Sequence, residues 1–111
     1  MVAIEEYRKR VQQLLAHYQT PQFLQEGVET QLLVDTQHDH YQLVNVGWDN
    51  GQRVYGVVVH IDIKDDKIWL QQNLTDQLVA EDLVELGIPK DRIVLGFQPV
   101  YMRKHTDFAM N

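Results

Sequence analysis

The chain has 111 residues, 44% of them hydrophobic, which suits one domain with a single core and rules out wholesale disorder. Sixteen acidic against ten basic residues leave a net charge of −6, so the chain repels phosphate backbones and is not expected to bind nucleic acid on its own. With no cysteine there is no disulfide, thiolate zinc site or cysteine nucleophile, and with no serine there is no serine-hydrolase triad. The start Met1–Arg8 becomes charged too early for a signal peptide and no apolar run approaches a membrane span of about 20 residues, so a cytoplasmic, non-membrane protein is expected.

Ile4, Tyr7, Val11, Leu14, Leu15 and Tyr18 recur at three- and four-residue steps and predict an amphipathic helix from about Ala3 to Tyr18, stopped at Thr20-Pro21. Strands are expected over Glu29–Thr36, Tyr41–Trp48, Arg53–Lys64 and Lys67–Gln72, with turns at Gln37–His40, at Asp49-Asn50-Gly51 and at Asp65-Asp66. Thr75 reads as the N-cap of a second helix over about Asp76–Leu86, with Val79, Leu83 and Leu86 inward and Gly87 as its stop. Ile93, Leu95 and Phe97 alternate as a short last strand, and a tail runs from Val100 to Asn111. The expected class is α+β: an N-terminal helix, a four-stranded antiparallel meander, a second helix and a short C-terminal strand.

Strand registers follow from the turns. A two-residue turn at Asp65-Asp66 sets Ile63 against Ile68, Asp62 against Trp69 and Ile61 against Leu70. A loop at Asp49–Gln52 pairs Trp48 with Arg53, Val46 with Tyr55, Val44 with Val57 and, continued without interruption, Tyr41 with His60. On that register Val44, Val46, Tyr55, Val57, Val59, Ile61, Ile63, Ile68 and Leu70 form the core face. The opposite face then carries Leu32, Val34, Leu43, Val58 and Trp69 among Tyr41, His60, Asp62 and Lys64, too apolar for a sheet face open to water. Either the tail, through Tyr101 and Phe108, folds over it, or a partner or second copy does. Leu43, Val58, Tyr41, His60, Asp62 and Trp69 are therefore the candidate interface or pocket, and Val58→Asp is expected to disturb association while leaving the domain folded.

Chemistry-bearing patterns are sparse. Asp62-Ile63-Lys64 has the acidic-x-Lys form of a metal-dependent nuclease half-site, but the uninterrupted register sets Asp39 opposite Asp62 in a turn, and no glutamate completes the set. A solvated strand edge explains the same residues. His38-Asp39-His40, with Asp35 near, offers two imidazoles but lacks evident third and fourth ligands, and a polar turn explains it equally well. Gly47, Gly51 and Gly56 do not form a phosphate loop, and Arg103-Lys104-His105 reads as a surface tail. No catalytic residue, metal or cofactor is expected from these patterns. The alternatives kept are a nuclease-like enzyme using Asp62 and Lys64, and a small-ligand site over Tyr41, His60 and Trp69.

The runs Asp39–Trp48, Arg53–Gly56, His60–Lys64, Lys67–Gln72, Glu85–Pro89 and Ile93–Phe97, in this order, closely resemble the XisI-like family, the cyanobacterial excision controlling factors named for the fdxN element. The resemblance spans nearly the whole chain, with Gln19–Glu26 the segment that departs. It implies a non-enzymatic regulator of DNA-element excision by a separate recombinase, acting with a companion XisH-like protein, and allows a homo-oligomer. It assigns no catalytic motif to any residue.

Overall fold

The computed structural model describes residues 4–20, 23 and 25–111. Helix α1 (Ile4–His17) leads into four antiparallel strands, β1 (Val28–Asp35), β2 (His40–Asp49), β3 (Gln52–Lys64) and β4 (Lys67–Asn73). Helix α2 (Val79–Glu85) and a 3₁₀ turn at Lys90–Arg92 lead to β5 (Ile93–Leu95), and one helical turn, α3 (Val100–Arg103), follows. The sheet order is β1-β2-β3-β4-β5, and β5 lies parallel to β4. This is the α+β architecture expected from the periodicities. Ala3, the expected start of the first helix, and Pro21, part of its expected stop, lie outside the described residues.

The stripe on α1 is buried through Tyr7, Val11, Leu14 and Leu15, with Tyr18 just beyond the helix end, against Ile61, Ile63, Ile68, Leu70, Leu83 and Ile93. The turns behave as their residues dictate. Asn50 and Gly51 take φ of 51° and 78°, while Asp65 and Asp66 take 53° and 61° with no glycine to relieve them. Around Asp65-Asp66 the pairs Ile63↔Ile68, Asp62↔Trp69 and Ile61↔Leu70 form as expected, and above Asn50-Gly51 so do Trp48↔Arg53, Val46↔Tyr55 and Val44↔Val57.

The continuation differs. Val44 pairs with Val57 but Leu43 pairs with Val59, so Val58 is an extra residue in β3, a β-bulge. Tyr41 consequently faces Ile61 instead of His60, and His40 instead of Asp39 faces Asp62. Because side chains alternate with period two, this one residue exchanges the faces of β1, β2 and the first half of β3. Tyr41 and Leu43 are core residues, 0% and 2% exposed, and Leu32 and Val58 pack against the same cluster. Tyr55, expected inside, is 73% exposed. The bulge is stabilised locally: the Val58 carbonyl accepts from Leu74 N at 2.7 Å and the Val57 carbonyl from the Gln72 side chain. A second irregularity, between His60↔Gln72 and Ile61↔Leu70, leaves Gln71 as the extra residue in β4.

Two further expectations change. Thr75 does not cap α2: its Oγ1 donates to Asn73 Oδ1 at 2.6 Å and accepts from Gln77 N at 3.1 Å, closing a turn that delays the helix to Val79. Phe97 lies outside the last strand and is half exposed, because β5 ends where Gly96 N donates to Leu70 O. The tail does fold back, but along β5: Ala109 N donates to Ile93 O at 2.8 Å and Phe108 packs on the core, whereas Tyr101 stays exposed.

Three substitutions test this account of stability. Val58→Asp should lower the folding free energy by about 2–4 kcal/mol, since the carboxylate meets core side chains and a hollow that Asp76 already lines, while Tyr55→Asp should stay within about 0.5 kcal/mol. Urea denaturation of both variants checks this. Asp66→Gly should stabilise by about 0.5–1 kcal/mol by relieving a left-handed backbone, read as a melting temperature raised by a few degrees.

Candidate functional site

On the sheet face away from the helices, His60 and Asp62 lie two residues apart on β3, and the bulge sets His40 of β2 directly opposite Asp62. The Asp62 carboxylate is the centre. Its Oδ1 lies 2.7 Å from His40 Nδ1 and 2.8 Å from His60 Nε2, and its Oδ2 accepts from Gln71 Nε2 at 3.2 Å. Gln42 Nε2 stands 3.5 Å from the other ring nitrogen of His60. Gln71 is the extra residue of β4, next to the Ile61↔Leu70 pair, and its side chain reaches Asp62 from there. Burial pushes the Asp62 carboxyl up, but the bonds from His40, His60 and Gln71 outweigh it and hold the group below the usual carboxylate range. The hydrogen bond to Asp62 in turn raises His40. Beside this cluster opens a cavity of about 420 Å³ lined by Leu33, Val34, Asp35, His40, Gln42 and His60.

The candidate residues thus separate into two groups. His60 and Asp62 converge, and with them His40, which belongs to the histidine pair of the turn. His38 instead binds Asp35 at 2.9 Å. Tyr41, Leu43 and Val58 belong to the other side of the sheet, so neither the six-residue surface patch nor a ligand site joining Tyr41 to His60 is assembled. Trp69 shares the outer face but is enclosed: the Lys64 ammonium lies 4.2 Å from its ring centroid and the Arg103 guanidinium 5.4 Å. Its indole Nε1 is buried without a hydrogen-bond partner among the described residues.

The nuclease-like set of Asp62, Lys64 and Asp39 is not assembled either. Asp39 faces α1, where Arg8 donates to it through Nε at 2.8 Å and Nη2 at 3.0 Å, and the Tyr41 hydroxyl donates at 2.9 Å. Lys64 is committed to Trp69. The convergence of His40, His60 and Asp62 escapes the sequence because it depends on the bulge, although the triple valine Val57-Val58-Val59, which fits either face, is a signal that the register is free to slip there.

The family model for XisI protein matches residues 1–110. The chain belongs to the XisI family. A crystal structure of a XisI-like protein from Anabaena variabilis is 48% identical, superposes with a TM-score of 0.87, and the match covers 96% of this chain and 98% of that one. The fdxN element excision controlling factor XisI from the same organism is 30% identical, with a TM-score of 0.79 and coverage of 96% and 97%. No curated protein sequence matches the chain. Within the family fold, no helix among the described residues is long and apolar enough to cross a membrane.

Asp39 supplies a pH test of the α1 anchor. Hydrogen bonding from Arg8 holds its carboxyl below the ordinary range, so the stabilisation is present above the unfolded value of about 3.9 and is lost as pH falls through the lower folded value. Arg8→Gln should therefore melt at a lower temperature than the parent at pH 7, and the gap should narrow progressively below about pH 4 as Asp39 protonates. Thermal denaturation of both proteins between pH 2 and 7 measures the gap.

Proposed function

We propose that this chain is a non-enzymatic accessory protein in the excision of a DNA element, acting through a XisH-like partner protein. The observation that carries the reading is the match, over nearly the whole chain, to a protein identified as an element excision controlling factor. The net charge of −6 favours a protein partner over direct contact with a phosphate backbone. The surface offers apolar contacts of the kind that partners bury: Leu33 and Val34 on the edge strand β1 are 48% and 40% exposed, and Trp48 and Tyr55 near the tip of the β2–β3 hairpin are 57% and 73% exposed. Aromatic side chains of this type dominate binding energy where they are fully desolvated.

Co-expression with a XisH-like protein, followed by purification on a tag carried by only one of the two, tests the reading. A stable complex of defined stoichiometry is expected. Trp48→Asp or Leu33→Asp should weaken it at least about tenfold while the isolated variant keeps its fold, because each side chain is exposed in the free chain. Separate elution of the two proteins under native conditions removes the main support for partner-mediated action.

A further inference from the structure

His40, His60 and Asp62 present two imidazole nitrogens and one carboxylate oxygen that all lie within 4.8 Å of one another. We infer that these three side chains form a binding site for a divalent transition-metal ion such as Zn²⁺, with at least one coordination position left for water or an exogenous ligand. The inference does not rest on the excision reading, since it comes from side-chain geometry alone.

Three features make the cluster more than a hydrogen-bonded surface patch. The first is convergence: both histidines aim one ring nitrogen at the same oxygen, Asp62 Oδ1, at 2.7 and 2.8 Å. Ligands bound to Zn²⁺ at about 2.0–2.2 Å stand roughly 3.2–3.6 Å apart in tetrahedral geometry, so rotations that open these contacts by under about 1 Å admit the ion. The second is support. Asp62 Oδ2 is held by Gln71, and the far nitrogen of His60 faces the Gln42 amide, the kind of outer contacts that orient metal ligands and set a histidine tautomer. With the metal bound, His60 Nδ1–H donates to the Gln42 carbonyl oxygen, the amide being turned to present it. The third is placement: all three ligands project from adjacent paired strands, and His40 and His60 also line the cavity of about 420 Å³. An open coordination position has room there for a small anionic or carbonyl ligand.

The donor set defines the class of ion. Imidazole with a single carboxylate suits first-row ions such as Zn²⁺, Fe²⁺, Ni²⁺ or Cu²⁺, with Co²⁺ as a spectroscopic substitute, whereas Mg²⁺ and Ca²⁺ favour all-oxygen shells. Three protein ligands match the count of sites that keep a position open, one short of a closed structural site.

The test is equilibrium dialysis of the full chain, freed of any histidine tag and of chelator, against ZnCl₂ and CoCl₂, with bound metal counted by mass spectrometry and the Co²⁺ complex followed by visible absorption. One ion per chain is expected, with the same Co²⁺ spectrum in the parent and in His38→Ala, whose ring lies on Asp35. His60→Ala and Asp62→Asn should abolish the spectrum, and Gln71→Ala should weaken binding about 10–100-fold. Should Asp62→Asn fail to fold, His40→Gln at a half-exposed position gives the same information. Equal metal retention by the parent and a folded His60→Ala or His40→Gln overturns the site. Equal competition by MgCl₂ overturns the assigned class of ion.

Discussion

The arrangement of this molecule depends on one extra residue. Val58 interrupts the pairing of β2 with β3 and thereby decides which side chains of β1, β2 and the start of β3 meet the helices. Upstream of it the outer face carries Val46, Tyr55 and Val57 and the buried Val44; downstream it carries His60, Asp62 and Lys64. The same step moves Tyr41 and Leu43 into the core, where each is almost completely shielded from water. A bulge of this kind is favourable only if its loosened backbone groups find partners, and Leu74 N and the Gln72 side chain supply them for Val58 and Val57. The chemistry of the outer face thus rests on a backbone irregularity together with the β4 end that satisfies it.

What the amino-acid pattern reveals and what it hides divide along the same line. The helix stripe of Tyr7, Val11, Leu14 and Leu15, the turn at Asn50-Gly51 and the pairing of Ile63 with Ile68 are local: a few neighbouring residues determine each, and all are legible. The bulge is not local. Val57, Val58 and Val59 are alike in shape and polarity, and the strands opposite carry apolar residues on both faces, so alternation gives no preferred register. The meeting of His40 with Asp62 inherits that ambiguity. Thr75 illustrates a different limit, because a hydroxyl that suits a helix start also suits a turn, and only the position of Asn73 decides between them. The family resemblance was legible in the ordered runs along the chain and needed no register at all.

The outer face is not uniform. At its β4 end Trp69 is closed in between Lys64 and Arg103, and Arg103 is itself fixed by the carbonyls of Gln98 at 3.0 Å and Met110 at 3.2 Å. Val94, beneath the returning tail, is fully buried. Towards β1 the tail gives no such cover, and there the histidine and aspartate cluster borders a cavity with Leu33 and Val34 on its wall. The tail therefore encloses the β4–β5 end of this face, while Leu33 and Val34 of β1 stay exposed. Self-coverage accounts for the apolar residues at the β4–β5 end.

The parallel pairing of β5 with β4 has a consequence for how the chain assembles. Each strand from β2 to β4 meets its predecessor across a tight turn, so closing each hairpin sacrifices little chain entropy. Strand β5 reaches β4 only after the whole segment from Leu74 to Arg92 has been laid across the sheet, and it contributes three residue pairs when it arrives. Its loop-closure cost is therefore the largest in the sheet for the shortest ladder. The sheet has a locally encoded end and an end that relies on distant contacts, and the second carries the tail and the cover over Trp69. Transient opening that begins at β5 would expose the indole while leaving the β2–β3 pairing, and with it the His40–Asp62 contact, intact.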